Sequence, residues 1–220
     1  MIKAIIFDMD GLMVDSEMIS FQCFQELIRS YGLDFTKEEY MQSYPGRSLQ
    51  TSLQYIQNHY QLNFDIEEKM QLFKELEEKH INKDTVPLKK GLMPLLEYVK
   101  SHDYKTIIAT SSHFDRAMKM LGPHDVMPYI DNIVCGSEVK HGKPAPDIFL
   151  KACEKLNVKP YEALVLEDSE AGIQAAYDAH IPVICIPDMK QPHEEYIKKV
   201  VHVYSSLENV ISYLENDNHI

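Results

Sequence analysis

Five short apolar runs, separated by helix-length segments, constrain this chain more than any other feature. KAIIF (3–7), YKTIIAT (104–110), DNIVC (131–135), ALVLE (163–167) and IPVICI (181–186) are rich in Ile and Val and mostly bounded by polar or turn residues. A strand with one wet face alternates apolar and polar residues, whereas continuous runs suit parallel strands covered on both faces. Amphipathic segments lie between the later runs. DIFLKACEKLN (147–157) repeats apolar side chains at Ile148, Phe149, Ala152, Cys153 and Leu156, and SEAGIQAAYDA (169–179) is small and helix-compatible. Strand, helix, strand, helix predicts an α/β fold with a doubly wound, open parallel sheet and right-handed crossovers.

The first run breaks that rhythm. Residues 15–85 contain no strand-like run but several helical repeats, one through Phe21, Phe24, Ile28 and Tyr31 and another through Ile66, Met70 and Phe73 that turns polar at Glu77 and His80. The spacing predicts a helical cap domain over 15–85, inserted after the first strand of an α/β core formed by 1–14 and 86–220. Connections near 13–17 and 82–88 join the two.

Composition narrows the partners. A net charge of −12 and a pI near 5.2 set the chain as a whole against nucleic acid and anionic membrane, while leaving room for a small anionic substrate at a locally positive site. The apolar runs fall far short of the roughly 18 residues a membrane helix needs. The first residues lack the order of a signal peptide. Cys23, Cys135, Cys153 and Cys185 are scattered with no C-x-x-C pair, which argues against structural zinc and a disulfide framework. The expectation is a cytoplasmic protein, monomeric with a dimer left open.

The ends of the runs carry the chemistry. FDMDG (7–11) sets Asp8 and Asp10 at the end of the first run. In open α/β sheets, ligands bind beyond the carboxyl ends of the strands. KTIIAT ends in Thr110, Ser111 and Ser112, whose hydroxyls and backbone N–H groups suit phosphate oxygens at a helix start. ALVLE ends in Glu167 and Asp168, and HGKPAPD carries Lys143 in a stiff loop. Singly, each has a bland explanation: a turn, a helix cap, a polar strand end, a surface charge. Together they converge. Crowded carboxylates repel one another unless a cation sits among them, and oxygen ligands suit Mg²⁺. A carboxylate beside a metal and an anion cradle can attack a phosphoryl group, and a second one two residues later can protonate the leaving oxygen and then activate water.

With these motifs in place, the chain resembles the haloacid-dehalogenase-like phosphatases, in the branch that holds β-phosphoglucomutase and the small sugar-phosphate phosphatases. DMDG (8–11), TSS (110–112), the lysine of GKPAPD (142–147) and LEDS (166–169) appear in the family's order, and D-S-E at 15–17 follows the first motif. The resemblance implies a Rossmann-like core with a helical cap and Mg²⁺ as cofactor. It implies Asp8 as nucleophile and metal ligand, and Asp10 as general acid/base with its backbone carbonyl on the metal. Thr110, the Ser111 amide and Lys143 would hold the phosphate. Asp168 would ligate Mg²⁺, and Glu167 would ligate it or hold its waters. The substrate would be a small phosphorylated metabolite, hydrolysed through an aspartyl-phosphate.

In the cap the chain departs from the mutase. Ser20 stands where β-phosphoglucomutases carry a histidine, and Pro45 and Leu49 stand where two cap cations are expected. A mutase must hold a bisphosphorylated intermediate and needs cations for the second phosphate. Their absence points to hydrolysis, with the mutase as the alternative. Ser20, Arg47 and His113 are candidates for substrate specificity. A receiver-type signalling protein is less consistent, because such domains lack the cap and order their motifs differently. P-loop and dinucleotide motifs are absent from the sequence.

Overall fold

A computed structural model describes residues 1–44, 48–83 and 86–217. They form two compact units, one made of Met1–Asp15 with Pro87–Ile220 and the other of Ser16–Val86. In chain order the strands are β1 (Ala4–Phe7), β2 (Lys105–Thr110), β3 (Asn132–Cys135), β4 (Ala163–Glu167), β5 (Val183–Cys185) and β6 (His202–Val203). The helices are α1 (Ser16–Arg29), α2 (Lys37–Ser43), α3 (Leu49–Tyr60), α4 (Ile66–Lys83), α5 (Leu92–Ser101), α6 (Phe114–Leu121), α7 (Asp147–Leu156), α8 (Glu170–Asp178), α9 (Glu194–Ile197) and α10 (Asn209–Asp217).

All six strands of the first unit pair in parallel, in the order β3-β2-β1-β4-β5-β6. The order reverses direction at β1, which lies between β2 and β4 and so marks the switch point of the sheet. One face buries Ala4, Ile6, Ile107, Ala109, Val134, Ala163, Val165 and Val183 against Ile148, Phe149 and Ala152 of α7 and Ile173 and Ala176 of α8. Residues of the other parity, Ile5, Phe7, Ile108, Leu164, Leu166 and Ile184, are buried as well, with α5 against β2 and α10 against α5. Burial on both faces is why these strands read as unbroken apolar runs. The strand β6 is not anticipated by the sequence: it has two residues, both exposed, at the sheet edge, so burial imprints no pattern on it.

The second unit contains α1 to α4. Its interior is aromatic: Phe24 and Phe73 have ring centroids 4.6 Å apart, and Tyr40 stacks on Tyr44 at 5.6 Å. Tyr55 meets Tyr44 edge-on, while Met41 is exposed. Tyr31, the last position of the first helical repeat, lies beyond the end of α1 in the turn at Gly32, whose φ of 75° is left-handed.

Candidate active site

The core face turns polar at the carboxyl ends of β1 and β4. Phe7 pairs with Ile108 of β2 and Leu166 of β4, so the next residues, Asp8, Ala109 and Glu167, stand side by side. By the two-residue period they continue the face made by Ile6, Ile107 and Val165. Asp8 is 7% exposed and Glu167 is fully buried. Two carboxylates at the end of a dry face need a counter-charge, and Lys143 supplies it from the loop before α7. Its Nζ donates to Asp8 Oδ1, to Glu167 Oε1 at 2.7 Å and to the Ala109 carbonyl at 3.2 Å. The ammonium also lies 4.9 Å from the Phe149 ring centroid. The Lys143–Pro144 peptide is cis.

Glu167 is held from the other side by the start of α8. Its Oε2 accepts from the Asp168 and Ser169 N–H groups, both at 2.8 Å, and from Ser169 Oγ at 2.9 Å. Gly172 makes room for this carboxylate: a Cβ there would lie 1.6 Å from Glu167 Oε1. Gly11 does the same for Asp168. Its φ is +79°, and a Cβ would lie 2.4 Å from Asp168 Oδ2.

Asp8, Glu167 and Asp168 each bring a ligand oxygen within 4.8 Å of the others. Burial pushes the Asp8 carboxyl up to about 8 despite the pull of Lys143, and burial with Glu167 and Asp8 nearby raises Asp168 well above the usual carboxylate range. Burial alone would lower the Lys143 ammonium, but Asp8 and Glu167 outweigh it and raise it. Ionising all three carboxyls beside a single ammonium would leave excess negative charge in a space that disfavours charge. The remedy is a cation, and an all-oxygen donor set fits a hard divalent one.

Asp10 lies in the loop that turns back after β1, where Gly11 N–H donates to the Val14 carbonyl at 3.0 Å and Met13 N–H to that of Met9 at 2.8 Å. Its carboxylate meets Ser112 Oγ at 2.8 Å and Arg116 Nη1 at 2.7 Å. Thr110, buried at the end of β2, accepts from the Ser112 N–H at 3.0 Å, and Ser111 follows it, exposed. His113 is the exposed N-cap residue of α6 and makes no side-chain cap bond. Ser20 lines a cavity of about 110 Å³ inside the second unit, with Glu17, Tyr40, Tyr44, Leu49 and Ser52. Arg47 and Pro45 lie outside the described residues.

Three participants are not singled out by the sequence. Arg116 is one; in the sequence it reads as a solvated residue in the first turn of a helix. The others are Lys89 and Asp188, whose ammonium and carboxylate pair although far apart in the chain. Asp188 also adds to the negative charge at Asp168.

A parallel sheet whose carboxyl edge gathers an aspartate pair, a hydroxyl strand end, one buried ammonium and a second acidic pair defines a hydrolase built on a Rossmann-like core. Residues 5–186 match the family of haloacid dehalogenase-like hydrolases. The chain is 34% identical to a phosphorylated carbohydrates phosphatase of Thermotoga maritima, over 81% of this chain and 82% of that one. It is 30% identical to a fructose-1-phosphate phosphatase of Escherichia coli, over 82% and 94%. The fold superposes on the crystal structure of a β-phosphoglucomutase from Clostridium difficile with a TM-score of 0.75 at 27% identity, covering 98% of this chain and 96% of that one. The chain belongs to the haloacid dehalogenase-like hydrolases, in the branch that these phosphatases and mutases share.

Proposed function

We propose that this protein is a Mg²⁺-dependent phosphatase that hydrolyses a small phosphomonoester, a sugar phosphate or related metabolite, through an aspartyl-phosphate on Asp8. The observation that carries this reading is the buried Lys143 joined to both Asp8 and Glu167, with Asp168 beside them. Asp8, Asp168 and the Asp10 backbone carbonyl would hold the metal, and Glu167 would ligate it or hold its waters. When bound there, the cation would offset the repulsion between substrate phosphate and these carboxylates.

Thr110, the Ser111 amide and Lys143 hold the phosphate oxygens at the strand ends. An Asp8 oxygen attacks phosphorus, and the bond from phosphorus to the substrate oxygen breaks. Asp10 gives its proton to that leaving oxygen, then takes one from water as the water oxygen attacks phosphorus. Inorganic phosphate leaves and the Asp8 carboxylate is restored. Positioning and electrostatics carry the rate.

The relatives named for phosphorylated carbohydrates and fructose 1-phosphate support a sugar phosphate as substrate. The mutase relative favours a second reading, β-glucose 1-phosphate isomerised to glucose 6-phosphate. The sequence weighs against it, because Ser20, Pro45 and Leu49 stand where the resemblance to the mutases calls for a histidine and two cap cations. Phosphate release from a panel of sugar and organic phosphomonoesters, with and without Mg²⁺, tests the proposal. The β-glucose 1-phosphate sample contains a trace of the 1,6-bisphosphate and is also read for glucose 6-phosphate. Mg²⁺-dependent free phosphate without glucose 6-phosphate is expected. Rapid glucose 6-phosphate formation with little free phosphate would make the protein a mutase.

A further inference from the structure

We propose that Arg116 is a positioning residue for Asp10, fixing the aim of the carboxylate that exchanges protons with the leaving oxygen and with water. The inference rests on the phosphatase reading above. Three side chains close a ring at the carboxyl edge of the sheet. Arg116 Nη1 donates to Asp10 Oδ1 at 2.7 Å and to Ser112 Oγ at 2.6 Å, and Ser112 Oγ donates to Asp10 Oδ2 at 2.8 Å. Each carboxylate oxygen therefore has its own donor, and the two donors are bonded to each other.

The donors stand on a firm frame. Ser112 is tied through its N–H to Thr110 Oγ1 at 3.0 Å, and Arg116 is in the first turn of α6, whose Ala117, Met120 and Leu121 are buried. Asp10 itself sits in the turn between β1 and the left-handed Gly11, where it bridges to Val14. The Arg116 and Asp10 side chains are 25% and 32% exposed. An ion pair that wet adds little to folding. What it does supply is direction, because a charge-assisted bond on one oxygen and a hydroxyl on the other leave the carboxylate little rotation. A catalytic group displaced by an ångström loses much of its effect.

The test compares kcat/KM on the best sugar phosphate with kcat/KM on p-nitrophenyl phosphate. This constant covers the steps through departure of the leaving group. A sugar alkoxide needs the Asp10 proton in order to leave, whereas nitrophenolate leaves without it. Arg116→Ala is expected to lower kcat/KM on the sugar phosphate about tenfold or more, and on p-nitrophenyl phosphate less than about threefold. Arg116→Lys should recover part of the loss, and inhibition by inorganic phosphate should not change. An equal loss on both substrates, no loss on either, or weaker phosphate inhibition would overturn the role. Asp8→Asn, assayed alongside, separates the two proposals. If it retains Mg²⁺-dependent turnover, the phosphatase reading fails and takes the Arg116 role with it. If it is inactive while Arg116→Ala loses equally on both substrates, only the role of Arg116 fails.

Discussion

The Lys143 ammonium lies 2.7 Å from Glu167 Oε1, and neither side chain is more than 6% exposed. With Asp8 on its other side, Lys143 is the counter-charge for two dry carboxylates. Replacing it with Met keeps most of the side-chain volume and leaves those acids facing each other. Removing one partner of a buried ion pair costs about 3 kcal/mol or more. The expected result for Lys143→Met is a lower thermal midpoint, partly restored by Mg²⁺, with phosphate release lost. A melt unchanged from wild type would show that the pair does not offset the burial of Asp8 and Glu167.

Gly172 offers a test of the same carboxylate that removes no charge. A Cβ at this position would lie 1.6 Å from Glu167 Oε1 and 2.5 Å from Oε2, so Gly172→Ala must displace the carboxylate or shift α8. Overpacking of this kind costs about 1–3 kcal/mol. Because Glu167 also bonds Lys143, activity should fall further than the stability loss alone accounts for. Denaturant melts and kcat/KM measured on one preparation check both, and wild-type turnover in the variant would separate Glu167 from the chemistry.

Metal binding can be read without turnover. Mg²⁺ is expected to raise the thermal midpoint of the wild-type protein, since a ligand at one hundred times its Kd stabilises by about 2.7 kcal/mol. Asp168→Asn removes one of three crowded carboxylates, so the variant should melt no lower than wild type in a chelator and should lose most of the Mg²⁺ shift. An undiminished shift would place the metal elsewhere.

How much of this was legible in the sequence follows from burial and distance. The five inner strands were legible because they are covered on both faces, and β6 was not because it is covered on neither. Asp8, Lys143 and Glu167 announced themselves as charges in places where packing has no use for them. Arg116 did not: an arginine in the first turn of an amphipathic helix looks like any solvated side chain until Asp10, 106 residues earlier, is folded against it. The Lys89–Asp188 pair was hidden for the same reason, with 99 residues between its members. The cavity at Ser20 depends on how four helices stack around aromatic rings, which periodicity does not specify.

Acid should expose the role of Glu138. Its Oε1 accepts from the Cys135 N–H at 2.9 Å and its Oε2 from Lys155 Nζ at 2.7 Å, and these contacts, Lys155 foremost, hold the carboxyl below its ordinary value. A carboxyl depressed in the folded state adds stability above its unfolded pKa and loses it as pH falls through the lower folded value. Glu138→Gln should therefore melt below wild type at neutral pH, with the gap narrowing as pH falls below about 4.5, the ordinary glutamate value. A gap independent of pH would assign the contribution to shape instead of charge.

The four cysteines provide a last check, on the packing of both units. Cys23 lies in α1 of the second unit, and Cys135, Cys153 and Cys185 lie in the first; all four are buried thiols. Thiolates do the reacting, and burial pushes the Cys153 thiol up to about 11, which leaves almost no thiolate at neutral pH. In the folded protein a disulfide-exchange reagent should label none of the four quickly, and all four should react once the chain is unfolded. Since Cys23 reports on the helical unit and the others on the sheet, graded denaturant can resolve them. If Cys23 becomes reactive at lower denaturant than Cys153, the helical unit opens before the sheet, and a phosphate-release assay at that same denaturant shows whether turnover needs it closed.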